Sequence, residues 1–140
     1  MGLDMYLQGE KFFWRNWDNP DEIRKEDALD LRSLRVKLGY WRKHPNLHGY
    51  IINAFADGLD ECQEIELDRE NIVQIMEAVK ARMLPETHGC FFGRSARDED
   101  GAAEIKAEIK GDLKQLQTAL DWLDVEEVNV SRTVIYRASW

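Results

Sequence analysis

Residues 39–51, GYWRKHPNLHGYI, gather flat rings, fixed cations and two imidazoles around a helix-start signal. Arg42 carries a planar fork of donors suited to phosphate or carboxylate, and Lys43 adds a point charge beside it. Tyr40 and Trp41 offer faces on which a base or a guanidinium can stack. Pro45 is the residue favoured at the first helical position, so the free N–H groups of a helix start point into the same neighbourhood. Together these types describe an anion site with an aromatic wall, in which His48 donates a hydrogen bond. The same run equally describes a sealed corner, with Trp41 in the core and Arg42 and Lys43 paired to carboxylates. Whether Trp41 points inward or outward separates the two.

His44 and His48 stand four apart, the spacing that can aim two imidazoles at one metal from a helix. Pro45 sets His44 at the helix boundary, and neither an HExxH glutamate nor a near third ligand accompanies the pair, so no metal is expected. Further on, GCFFGR (89–94) places an apolar run between glycines, where backbone can approach a ligand; Phe92 lies in that run and Arg94 adds a cation. An ordinary buried strand has the same pattern. The expected ligand-binding set is Tyr40, Trp41, Arg42, Lys43, His48, Phe92 and Arg94. No GxGxxG, Walker A or GxSxG motif occurs, and a pairing of Cys90 with His88 or His48 has no local motif behind it. Neither a catalytic residue nor a cofactor is assigned.

The elements that must position these residues follow from periodicity. LDMYL (3–7) alternates as a short strand, and 16–32 reads as an irregular or helical excursion around the Asn19–Pro20 turn. From Pro45, Leu47, Ile51, Ile52 and Phe55 recur at helical spacing until Gly58. QEIEL is a strand, and Asp68 opens a helix to about Met83 with Ile72, Ile75, Met76 and Val79 inward. GCFFG reads as a buried strand, 102–124 as a long helix and VNVSRTVIYRASW as the closing strand. The expectation is one α+β domain over 1–140: a mainly antiparallel sheet of about four strands with three or four helices on one face.

Composition narrows the function classes. The 140 residues carry a net charge of −8, which argues against general duplex-DNA or anionic-membrane binding. Yet Arg32, Arg35, Lys37, Arg42 and Lys43 fall within twelve positions, a local basic patch that suits a small anion better than a long polyanion. Cys62 and Cys90 match no metal-finger spacing and read as reduced thiols. With no long apolar run and no secretory leader, cytoplasmic action is expected.

MGLDMYL at the start, YWRK followed by Asn46 and His48, Cys62 before an alternating strand, GCFFG, and a terminal IY…SW occur in that order. The set resembles a family of small bacteriophage and prophage proteins. Its recurring positions map here to Met1–Leu7, Tyr40, Trp41, Arg42, Lys43, His48, Cys62, Phe91, Phe92, Gly93 and Trp140. Two features depart from the family pattern: Tyr50 stands where a Trp is usual, and RSARDED lacks a tyrosine–acid pair. The resemblance implies phage origin and action in the cytoplasm of an infected bacterium, not a reaction. The leading expectation is a binding protein for a small anionic, nucleotide-type ligand, acting as a counter-defence sponge or inhibitor. Two others stand beside it. One is an acidic inhibitor of a host nucleic-acid enzyme, using Asp57, Asp60, Glu61, Glu64, Glu66, Asp68 and Glu70; the other is a small hydrolase or transferase using His48. Self-association through tryptophan-rich surface is compatible with all three.

Overall fold

The structure, a computed structural model, describes residues 2–15, 24–89, 92 and 101–140. The chain forms β1 (Asp4–Phe13), a two-stranded hairpin of β2 (Lys25–Glu26) and β3 (Leu29–Asp30), and β4 (Ser33–Arg42). Then come α1 (Pro45–Phe55), β5 (Ile65–Leu67), α2 (Arg69–Lys80), α3 (Ala102–Leu123) and β6 (Val130–Ser139). The main sheet has the order β4-β1-β6-β5 and every neighbouring pair is antiparallel. The fold is α+β, as the alternation of strand and helix periods implied.

Side-chain alternation divides the sheet into two unlike faces. Met5, Leu7 and Phe13 of β1, Leu67 of β5, and Val134, Tyr136 and Ala138 of β6 are buried. They join Leu47 and Ile51 of α1, Ile72, Ile75 and Val79 of α2, and Leu116, Ala119 and Leu120 of α3 in the core. The other face carries Asp4, Tyr6, Gln8 and Glu10, and none of the described helices packs on it.

β4 is where sequence and structure part. Only the strand at 3–7 was expected in the first forty residues, whereas β1 runs to Phe13 and β4 is a full ten-residue strand. The register against β1 slips between Leu7, paired with Gly39, and Gln8, paired with Lys37. Leu38 is therefore an extra residue, and the inward parity switches from Leu34 and Val36 to Gly39 and Trp41. α3 clasps this bulge: the Tyr40 backbone N–H donates to Gln115 Oε1 at 2.5 Å. A Cβ on Gly39 would lie 2.8 Å from that same oxygen, so the close approach needs glycine. The excursion at 16–32 contains the β2–β3 hairpin, not a helix, over its described part. The expected strand at 89–93 falls mostly outside the described residues, and Phe92 itself is not in a strand.

The helix signals act as read. Asp68 caps α2 by accepting from the Asn71 backbone N–H at 2.7 Å, while the Asn71 side chain accepts from Asp68 N–H. Gly58, at φ +78°, turns the chain out of α1.

Gly9 is a second point where α3 closes on the sheet: a Cβ there would meet the Trp122 ring at 2.7 Å. Arg132 stacks against that ring with its guanidinium carbon 4.9 Å from the centroid, leaving the indole little room to retreat. Gly9→Ala is therefore expected to destabilise by about 1–3 kcal/mol, overpacking outweighing the reduced freedom of the unfolded chain. A lower urea midpoint at unchanged slope would show it, and an unchanged midpoint would refute the argument.

Candidate functional site

The strand geometry separates residues that are neighbours in sequence. Tyr40 and Arg42 project from the open face of β4, while Trp41 between them projects into the helix layer and is 7% exposed. Tyr40 pairs across the strand with Tyr6, their ring centroids 5.4 Å apart. Lys37 Nζ lies 5.4 Å from the centre of the Tyr40 ring. The Tyr40 hydroxyl donates to the Asp4 carboxylate, which raises its pKa and keeps it protonated. Arg42 Nε stands 4.0 Å from the same carboxylate. On the far side of Tyr6, β6 pairs Arg137 with it, so a row of two phenol rings is flanked by Lys37, Arg42 and Arg137.

Arg35, on the same face, is differently engaged. It donates to Glu10 at 2.7 Å and through both terminal nitrogens to Glu64 at 2.5 and 3.2 Å. Its guanidinium holds the Glu64 carboxyl below the usual range. Arg35 thus braces the open face, and Lys37, Arg42 and Arg137 are the cations beside the tyrosines.

On the covered side, Trp41 does not act as a stacking wall; it seals the corner. Its Nε1–H donates to Asp112 Oδ1 of α3 at 2.9 Å, and His44 Nε2 meets Asp112 Oδ2 at 2.8 Å. Lys43 makes this corner: at φ +51° it turns the chain from β4 into α1, its N–H bonded to Leu3 O at 2.7 Å. His44 Nε2 also lies 3.2 Å from Glu108 Oε1, so one imidazole nitrogen faces two carboxylates a helical turn apart. Among the described residues, His44, Glu108 and Asp112 are the group whose donor atoms converge as metal ligands would, all within 4.8 Å.

His48 turns elsewhere. Its Nδ1 accepts from the Tyr136 hydroxyl at 2.6 Å, and its Nε2–H donates to Asp60 at 2.9 Å. Asp60 accepts in addition from Trp140 Nε1–H at 3.2 Å. The Phe92 ring stands edge-on to His48, with centroids 5.2 Å apart, and 6.0 Å from the Trp140 ring. His48 and Phe92 therefore belong together, but inside the protein and apart from Tyr40 and Arg42. Burial and the nearby Asp60 charge push the Tyr136 hydroxyl well above its ordinary pKa. The relay reaches solvent through Asp60 and Trp140, while His48 is 1% exposed. A catalytic role for His48 would need substrate to displace these partners. His44 and His48 do not converge, because Pro45 starts the helix between them.

Arg94 lies outside the described residues, as do Cys90, Phe91 and Gly93. Cys62 is a free thiol. Of the seven acids at 57–70, Asp60 is bonded to His48, Glu64 to Arg35 and Asp68 caps α2, which thins the acidic surface an inhibitor would present.

Sequence reasoning passed over a cleft of about 590 Å³ at the opposite end of the sheet, walled by Phe13, Trp14, Arg24, Arg32 and Glu127. Glu127 accepts from Lys11 at 2.9 Å, Arg24 at 2.6 Å and Arg132 at 3.1 Å, and these three cations hold its carboxyl down to about 2. The aromatic–cation run FFWR was the signal. Because Lys11, Arg24 and Arg132 already converge on Glu127, this end reads as a charged clasp.

No helix of the described residues is long and apolar enough to cross a membrane. No protein-family model, curated protein or solved structure matches the chain.

Proposed function

We propose that the protein binds a small anionic ligand of nucleotide type on its open sheet face and holds it without converting it. The observation that carries this reading is the Tyr6–Tyr40 pair, with rings 5.4 Å apart, flanked by Lys37, Arg42 and Arg137 on a face no described helix covers. A base stacks on the phenols and phosphate oxygens meet the cations, with Lys43 a further charge at the end of the strand. The hydrogen bond to Asp4 keeps the Tyr40 phenol neutral and makes it a poor base, which suits retention better than turnover. In a phage setting, which the sequence resemblance implies, such retention in the host cytoplasm would withdraw a nucleotide signal from a bacterial defence. Exposed Trp14, Leu29 and Val128 lie at the opposite end of the sheet from Arg42, so a second copy docking there leaves the tyrosine face open.

The test has two parts: mass spectrometry of small molecules released on denaturing the purified protein, and calorimetric titration with a panel of linear and cyclic nucleotides. Tyr40→Ala and Arg42→Ala are each expected to weaken binding about tenfold or more while the fold persists, since stacking and phosphate contacts are each worth about 1–3 kcal/mol. Trp140→Phe, on the other side of the sheet, leaves affinity unchanged. Equal affinity in all variants, or no binding by the wild type, would overturn the reading.

A further inference from the structure

We propose that His44 Nε2, Glu108 and Asp112 form a binding site for one divalent transition-metal ion, with Zn²⁺ as the probe. The site lies in the helix layer and does not depend on the reading of the open face.

Two elements build it. α3 presents Glu108 and Asp112 one turn apart, on the same side of the helix. The β4–α1 corner presents His44, held immediately before Pro45 by the turn at Lys43. His44 Nε2 is 2.8 Å from Asp112 Oδ2 and 3.2 Å from Glu108 Oε1. All three ligand atoms lie within 4.8 Å of one another, so small side-chain rotations bring them to the separation of about 3.3–3.6 Å that ligands about 2.0–2.2 Å from a shared tetrahedral ion adopt.

Burial gives the cluster its meaning. His44 is 6% exposed, and its Nδ1 has no hydrogen-bond partner, so the ring is positioned by what its Nε2 faces. Asp112 is 3% exposed, a carboxylate on the inner side of α3 between Ile109 and Leu116. The Trp41 indole N–H takes its Oδ1 and leaves Oδ2 turned toward His44, the way an outer-shell donor orients a ligating carboxylate. Glu108, with its side chain 29% exposed, gives the site its opening to solvent.

The His44 imidazole and the two carboxylates converge at this corner, with Asp112 on its buried side and Glu108 on its open side. A divalent ion relieves that convergence. It takes the place of a proton on Nε2, and the two carboxylate charges balance the ion. One nitrogen and two carboxylate oxygens suit Zn²⁺ and neighbouring first-row ions better than Mg²⁺, which prefers oxygen ligands and its own water. The coordinated ring's Nδ1–H would have no acceptor, so affinity is expected to fall 10–100-fold below that of a site with a complete outer shell.

The experiment is titration of chelator-treated protein with Zn²⁺ against a chromophoric competitor, beside the absorption spectrum of the Co²⁺ form. The expected result is one ion per chain, at least tenfold weaker binding in Glu108→Gln and Asp112→Asn, and unchanged binding in His88→Ala. Glu108→Gln alters a partly exposed position and is expected to fold; it decides the matter if Asp112→Asn does not fold. Wild-type affinity in Glu108→Gln, or no bound Zn²⁺ in the wild type, would overturn the proposal. So would a thiolate charge-transfer band in the Co²⁺ spectrum, which would place the ion on a cysteine.

Discussion

Asp112→Ala, measured in metal-free protein, is expected to lower stability by about 3–5 kcal/mol, against about 1 kcal/mol for Asp112→Asn. The difference comes from what each change leaves behind. Alanine strands the buried Trp41 indole N–H, which points at the missing carboxylate, and leaves the His44 ring only its longer contact to Glu108 at 3.2 Å. Asparagine keeps an oxygen for Trp41, and its amide can donate to His44 once the ring takes its other neutral tautomer. Volume and packing around Leu116 and Ala119 are then conserved. Urea unfolding of the three proteins gives the numbers directly. Similar losses in both variants would mean that the carboxylate's charge, not its two hydrogen bonds, holds β4 to α3. Trp41 fluorescence adds a local readout, since only the alanine variant frees the indole from its partner.

The prominence of Asp112 shows where sequence reading stops. α2 was legible because each local signal agreed: an Asp68 cap, then Ile72, Ile75, Met76 and Val79 at helical spacing, and all four are buried. α1 was legible from Pro45 and Gly58, and both terminal strands were legible as strands, which the sheet pairs with Met5 against Ala138. β4 escaped because its bulge inverts the parity at Leu38, so no single period-2 pattern runs through SLRVKLGYWR. The same strand geometry dispersed the expected ligand set. Tyr40, Trp41 and Arg42 are adjacent in the chain, and a strand sends adjacent residues to opposite faces. Tyr40 and Arg42 therefore joined Tyr6, Lys37 and Arg137, while Trp41 joined His44 and Asp112. The signals that would have located the partners were present: a carboxylate within the apolar stripe of α3 and a tyrosine at an inward position of β6. Neither says which distant residue it meets, because the sheet order brings Tyr136 to His48 across 88 positions.

His48→Ala is expected to destabilise by about 2–5 kcal/mol and Tyr136→Phe by about 1–2 kcal/mol, with a double-mutant coupling of about 0.5–3 kcal/mol. His48→Ala removes a buried ring that packs edge-on to Phe92 and leaves both the Tyr136 hydroxyl and Asp60 without it. Tyr136→Phe keeps the ring and deletes only the donor to Nδ1. If the pair forms one relay, the second change loses much less once the first is made. The alkaline limb supplies an independent check. Burial, with the Asp60 charge, raises the Tyr136 pKa well above 10.0, so the neutral phenol is favoured in the folded state. Its contribution is complete below about pH 10, the unfolded tyrosine value, and is lost progressively as pH rises above it. Tyr136→Phe should therefore flatten the fall in stability above pH 10. Tyr40, also raised by its bond to Asp4, leaves a smaller slope that Tyr40→Phe removes. An alkaline limb as steep in Tyr136→Phe as in the wild type would mean that the buried phenol is not what couples this fold to pH.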